Sequence, residues 1–286
     1  PVRRAASSPV RACGSGEMRD QIRLEMFEML CGRRAFLRAA ALLGQRVELV
    51  TVEAASVESV AAAGARLLRE EQVFALLGGL DEPAASALGE VAERQQAIFL
   101  NLGSASDVLR GERCRHTTFH VQASEAMYRD ALSEWQAAAE GRGGGGERPA
   151  LWHHELERFG AGQLNDRYRA RFARAMEPLA WAGWMAVKVL WEAAARARAT
   201  DAAALLAFLE SGRARFDGHK GTQLSFRRWD HQLRQPLYIV RPGQKAAGEV
   251  VAEVPVAARG SEQSPQELLD RLGAGEGDSG CTCARQ

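Results

Sequence analysis

The chain has 286 residues, 46% of them hydrophobic, which is enough apolar material for a real core in one large or two modest domains. Its 37 basic and 36 acidic side chains nearly cancel, so no field points to nucleic acid or an anionic membrane as the main partner. Five scattered cysteines (Cys13, Cys31, Cys114, Cys281, Cys283) spell out neither a disulfide framework nor a zinc site, and the lack of any run of about 18 apolar residues argues against a transmembrane helix.

Residues 1–16 are rich in Ala, Ser, Pro and Arg without a period and read as disordered. From Met18 to Leu43 the apolar positions recur at helical spacing, broken near Gly32. Arg33-Arg34-Ala35-Phe36-Leu37-Arg38 followed by Ala39–Leu43 looks like a twin-arginine export signal, but Gly44-Gln45-Arg46 closes the apolar stretch early. A basic turn in an amphipathic helix is the other reading.

Two element types then take turns. Arg46–Val52 has strand character, Val57–Glu70 is helical, Val73–Leu77 is a short apolar run, and Pro83–Gln95 is helical. Ala97–Leu100 and Thr117–Val121 read as strands, and Ser124–Ala139 as a helix. Such alternation predicts an α/β fold, a parallel sheet flanked by helices. Asp81, two residues before Pro83, and Ser124, before Glu125, are expected to cap their helices.

After Glu140 the composition shifts to a Gly-rich linker over 141–149. Beyond it Leu151–His154 leads into a helix through Phe172, Pro178–Ala199 is a long helix, and Asp201 caps a third over Ala202–Glu210. The end turns to strands at Thr222–Phe226, Pro236–Arg241 and Glu249–Pro255, and Ser264-Pro265-Gln266-Glu267 forms a capping box for one short helix. The expected organisation is a first α/β lobe over 17–140, the linker, a second lobe over 150–258 with helix 178–199 returning to the first, and a tail over 259–286.

In open α/β sheets ligands sit beyond the carboxyl ends of the strands. That rule selects the loops Gly78–Glu82, Asn101–Asp107 and Gln122–Ser124. Gly103, Ser104 and Ser106 suit an anionic or carbonyl group, because small residues admit the backbone and hydroxyls donate; Asp81, Glu82 or Asp107 suit an ammonium or hydroxyl. All of these, with Asn101 and Ser124, are candidate ligand residues, and an ordinary turn or cap role is the competing reading. Trp152 and His153, just after the linker, are expected to face the cleft as an aromatic wall; packing beneath the lobe is the alternative.

Adjacent His153 and His154 are poorly placed to chelate a metal, no cofactor motif occurs, and no nucleophile-and-base or phosphate-loop pattern is present. Trp181, Trp184, Met185 and Trp191 share a helical face and read as core. The catalytic-looking letters of Asp217–Gly221 and Trp229–His231 flank strands as turns.

Two blocks carry a family resemblance. The first runs through Phe74–Gly79, Ile98–Gly111, Cys114-Arg115, Phe119–Val121 and Ser124; the second through Leu151–His154, Phe159-Gly160, Trp181–Trp184, Phe216–Gly221 and Trp229–Tyr238. Together they resemble the type I periplasmic binding proteins of ABC importers, the branched-chain amino-acid binder class. The combination of Asn101, Gly103, Asp107, Leu109–Gly111, Cys114-Arg115, His120 and Ser124 looks like the subgroup associated with PQQ-dependent alcohol catabolism.

The resemblance implies a periplasmic protein that is not an enzyme. It implies a chain that binds a small organic solute by closure of two lobes and hands it to a membrane permease. The class builds part of its second lobe from a strand-helix-strand stretch where this chain has only the linker, so a reduced second lobe is expected. A shortened interaction or sensory protein is the alternative function.

Overall fold

The structure is a computed structural model and describes residues 49–138, 145–243, 247–256 and 262–281. The expected disordered terminus, the helical segment at 18–43 and the export-like motif lie outside the described residues.

The first lobe begins with α1 (Val57–Arg69), started by a reciprocal capping box between Ser56 and Ser59. It continues through β1 (Ala75–Gly78), α2 (Glu82–Arg94), β2 (Ile98–Asn101), a 3-10 turn at Asp107–Arg110, β3 (Thr118–His120) and α3 (Glu125–Ala138). The strand order is β1-β2-β3, all parallel, with Gly78 level with Asn101 and Asn101 level with His120. The chain returns to this sheet once more: Gln232 makes a parallel bridge with His120.

β2 is buried along its whole length, as expected of a strand covered on both faces. Phe99 packs with Leu76, Leu88 and Val91 beneath α1 and α2. Ile98 and Leu100 belong to a larger cluster with Phe119, Val121, Met127, Trp181, Met185, Val189, Leu237 and Ile239. That cluster is continuous from the parallel sheet to the later strands, so the two halves of the chain share one core.

The second half contains β4 (Arg148–Ala150), a 3-10 turn at Arg158–Gly160, α4 (Ala161–Phe172), α5 (Pro178–Ala197) and α6 (Ala202–Leu209). β5 (Phe216–Asp217), β6 (Gln223–Phe226) and β7 (Leu233–Arg234) form a small antiparallel sheet, and β8 (Leu237–Arg241) and β9 (Glu249–Val254) complete another in the order β4-β8-β9. The short α7 (Pro265–Leu269) begins with the expected Ser264–Glu267 capping box.

Three details differ from the sequence expectations. Residues 49–52 form no strand. Arg148 and Pro149, at the end of the expected linker, are already paired with β8. Cys114 and Cys281 form a disulfide that anchors the C-terminal segment beside the loop before β3. The tail is held further by Asp270, which accepts from Arg227 Nε at 2.9 Å and Arg234 Nε at 2.8 Å.

Lys220 is fully buried in the second half. Its Nζ donates to Leu151 O at 2.7 Å, Gln235 Oε1 at 3.0 Å and Pro236 O at 3.0 Å, and it lies 4.2 Å from the centre of the Trp181 ring. Three acceptors match the three donors of an ammonium group, while burial lowers its pKa well below the ordinary lysine range.

Candidate solute site

Parallel pairing places the carboxyl ends of β1, β2 and β3 at one edge of the sheet, and the three loops leave from there. The first two touch through their backbones. Leu102 N donates to Gly78 O at 2.8 Å, and Gly103 N and Ser104 N donate to Gly79 O at 3.2 and 2.9 Å. Glycine is required on both sides of this contact. A Cβ on Gly103 would lie 2.7 Å from Leu80 Cα, and Gly79 sits at φ +74° with Ala85 Cβ only 2.8 Å from where its own Cβ would be.

Side chains extend the network. Ser106 Oγ donates to Glu82 Oε2 at 2.7 Å, which joins the second loop to the start of α2. Gln122 Nε2 donates to Gly103 O at 3.2 Å, which brings in the third loop, and Tyr128 hydroxyl donates to Gln122 Oε1 at 2.9 Å. Burial raises the Tyr128 pKa, keeping that hydroxyl protonated as a donor.

Asn101 is fully buried and shapes the second loop. Its Oδ1 accepts from Ser104 N at 3.0 Å, its Nδ2 donates to Ser104 O at 2.7 Å, and the same Nδ2 lies 3.0 Å from His120 Nδ1. With Nδ2 as the donor, His120 Nδ1 is the acceptor and its ring is neutral. Burial, together with the nearby charge of Arg110 and His231, holds the His120 pKa well below the usual imidazole range, which agrees.

Three of the expected ligand residues also serve as caps. Asp81 Oδ1 accepts from Ala84 N at 2.9 Å and Ser124 Oγ from Met127 N at 3.0 Å. Asp107 Oδ1 accepts from Ala126 N at 3.0 Å, while its Oδ2 pairs with Arg129 at 3.1 Å. The structure therefore brings Asp81, Glu82, Asn101, Gly103, Ser104, Ser106, Asp107 and Ser124 together at one edge, with much of their hydrogen-bonding capacity used in holding the loops.

Trp152 and His153 stand apart from them. Trp152 is only 1% exposed, its ring stacks on Trp181 at 5.7 Å, and its Nε1 donates to Asn165 Oδ1 at 3.0 Å. It packs under the lobe and does not wall an open cleft, because the indole satisfies both its apolar face and its one donor inside the core. His153 is buried too, with Nε2 3.2 Å from Ala247 O and Nδ1 accepting from Glu155 N at 3.3 Å. A half-open depression of about 250 Å³ nearby, bordered by Leu156, Phe159, His219, Tyr238 and Glu253, includes none of the strand-tip residues.

Arg110 was not among the candidate ligand residues. It is buried and donates to Gln232 Oε1 at 2.7 Å, Ser104 O at 3.2 Å, Ser106 O at 2.8 Å and Gln122 O at 2.7 Å. Burial lowers its pKa to about 10, with Asp230 and Asp107 opposing the shift, so it stays charged at neutral pH. One cation thus sets the second and third loops and the crossing segment in a fixed relation. The Leu109-Arg110-Gly111 string was visible in the sequence, but nothing local marked its arginine as buried.

The sequence matches the family described as periplasmic binding protein over residues 32–151 and 149–249. The chain belongs to that family. Its members are substrate-binding proteins of ABC transporters, which are not enzymes. Solved structures agree on the type I periplasmic binding protein fold.

A branched-chain amino-acid ABC transporter periplasmic ligand-binding protein from Burkholderia xenovorans LB400 superposes with a TM-score of 0.74 at 11% identity, covering 92% of this chain and 95% of that one. A periplasmic binding protein from Burkholderia mallei gives 0.73 at 13% identity, covering 92% and 93%. The solute binding protein of an ABC transporter from Rhodopseudomonas palustris BisB5, in complex with 3,4-dihydroxybenzoic acid, gives 0.69 at 10% identity, covering 84% and 94%. The search of curated proteins finds no match. No helix among the described residues is long and apolar enough to cross a membrane.

Proposed function

We propose that this periplasmic binding protein takes up a small organic solute bearing a carboxylate or carbonyl group, at the strand-tip loops of its first lobe, and presents it to an ABC permease. The observation that carries the proposal is the joined loop edge, in which Gly103 and Ser104 N–H groups reach Gly79 O and Ser106 reaches Glu82. Small residues let the two loops close on each other at this edge, Ser104 and Ser106 supply hydroxyls, and Asp81, Glu82 and Asp107 supply negative charge for an ammonium or hydroxyl. Asn101, Gly103 and Ser124 shape the loops, while Trp152 and His153 lie buried in the second half and take no part in contacting the solute.

Amino acids and aromatic carboxylates head the solute list, since structural neighbours carry isoleucine, benzoate and 3,4-dihydroxybenzoate. The resemblance to the subgroup linked to PQQ-dependent alcohol catabolism adds the acids and aldehydes that alcohol oxidation yields. The periplasm is the proposed location.

One observation favours a second reading, an interaction protein that has lost its ligand. The Asp81, Asp107 and Ser124 side chains are engaged as caps, and only residues 139–147 separate α3 from β4 where a fuller lobe would be inserted. A thermal-shift panel of amino acids, aromatic carboxylates, alcohols and aldehydes decides between them. A solute-binding protein is stabilised progressively as free ligand exceeds its dissociation constant, whereas the second reading leaves the melting temperature unmoved by every compound.

A further inference from the structure

The opposite end of the parallel sheet holds a cluster that the solute site does not use. His116 lies in the loop before β3, Glu210 at the end of α6 and His231 in the segment between β6 and β7. One ligand atom from each lies within 4.8 Å of the other two. His231 Nε2 is 2.9 Å from Glu210 Oε1, and His116 Nδ1 is 3.7 Å from the same oxygen.

The hydrogen bonding around the cluster is informative. His231 Nδ1 lies 3.1 Å from Thr118 O, a carbonyl that can only accept, so Nδ1 carries a proton. Nε2 then faces the carboxylate of Glu210 at 2.9 Å, a contact that a second ring proton closes as an ion pair and that a metal ion taking the proton's place can bridge instead. His116 Nδ1 is shut off from water and has no hydrogen-bond partner among the described residues, although its side chain is 44% exposed overall. A buried imidazole nitrogen without a partner calls for an explanation, and an ion is one.

We propose that His116 Nδ1, His231 Nε2 and Glu210 form a site for a divalent transition metal, best matched by Zn2+. Two imidazoles and one carboxylate are a donor set zinc accepts, and they leave one tetrahedral position for a further ligand. The Nδ1–H of His231 held by a backbone carbonyl is the outer-shell arrangement that fixes a ligand's tautomer. The ion clamps together three segments distant in sequence. Through His231 O, which accepts from His120 N at 2.9 Å, the clamp adjoins β3 itself. The positive field of Arg228 on Glu210 opposes cation binding and the carboxylate offsets it.

The test uses the full chain stripped with a chelator and titrated with ZnCl2 by calorimetry and thermal shift, with Co2+ as a spectroscopic probe. The expected result is one ion per chain, a melting temperature that climbs with free zinc, and Co2+ visible bands of nitrogen and oxygen ligation without thiolate charge transfer. His116→Ala, at a half-exposed position, and Glu210→Gln, which keeps a partner for His231, should each weaken binding by more than the roughly 10–100-fold typical of outer-shell changes. Absence of zinc binding, binding that survives both substitutions, or a Co2+ spectrum of thiolate ligation would overturn the proposal. The last would place the ion on cysteines instead.

Discussion

Arg110 Nε donates to Gln232 Oε1 across 2.7 Å and 122 residues of sequence. The bond joins the loop after β2 to the segment that returns to the parallel sheet, and the same guanidinium holds Ser104 O, Ser106 O and Gln122 O. Arg110→Met fills much of the volume but leaves buried acceptors without donors. Each costs about 1–3 kcal/mol, so a total loss of roughly 3 kcal/mol or more is expected as a lower urea midpoint with an unchanged m-value. Solute affinity should fall in the same variant, because the loops lose their common anchor.

His120 makes stability depend on pH. Its folded pKa lies well below the ordinary histidine value of about 6.5, so between those two values the unfolded chain binds more protons than the folded one. Stability therefore rises with pH through that window and falls as pH drops below about 6.5. Urea midpoints from pH 7 to pH 5 should decline steeply in the natural chain. In His120→Gln, whose amide carbonyl can still accept from Asn101, the decline should be shallower.

The disulfide is the main covalent anchor of the C-terminal segment. Cys114 and Cys281 are separated by 167 positions, and closing so long a loop restricts the unfolded chain, an effect worth about 2–5 kcal/mol. Cys281→Ser should lower stability by that order. It should also raise amide exchange in residues 262–281, even with the Asp270 ion pairs to Arg227 and Arg234 intact.

Much of the parallel sheet was legible in the sequence because local signals agreed with one another. Asp81, Asp201 and Ser264 accept from the backbone three residues on, as their positions ahead of apolar periodic runs suggested. The two-residue strands β5 and β7 were not legible, being too short for any period to register. The pattern at 49–52 reads as a strand yet forms none, because a strand exists only through a neighbour's hydrogen bonds and alternation does not supply the neighbour.

Long-range chemistry was the least visible part. Nothing near Cys114 selects Cys281 among the other cysteines, and nothing near Arg110 announces Gln232. Trp152 shows the same limit. An amphipathic aromatic after a Gly-rich stretch suits a cleft wall or a core equally, and its stacking on Trp181 with Nε1 bonded to Asn165 is a tertiary fact. His231 reads as a turn residue and Glu210 as the end of a helix, and nothing in the sequence marks His116, since their meeting depends on the crossing of the chain between β6 and β7.

The Ser106 hydroxyl offers a mild perturbation of the loop edge. It is half-buried and bonded to Glu82, so Ser106→Ala should cost only about 0.5–1.5 kcal/mol of stability. Solute binding should weaken by up to roughly tenfold, read by calorimetry on whichever compound shifts the melting temperature.

Mapping amide chemical shifts during titration with isoleucine, benzoate and 3,4-dihydroxybenzoate addresses the solute site most directly. The expected result is saturable change concentrated at residues 79–82, 102–107 and 122–124 for at least one of these compounds. Saturable change centred on the depression around Phe159 and Tyr238, or no saturable change with any of the three, would contradict it.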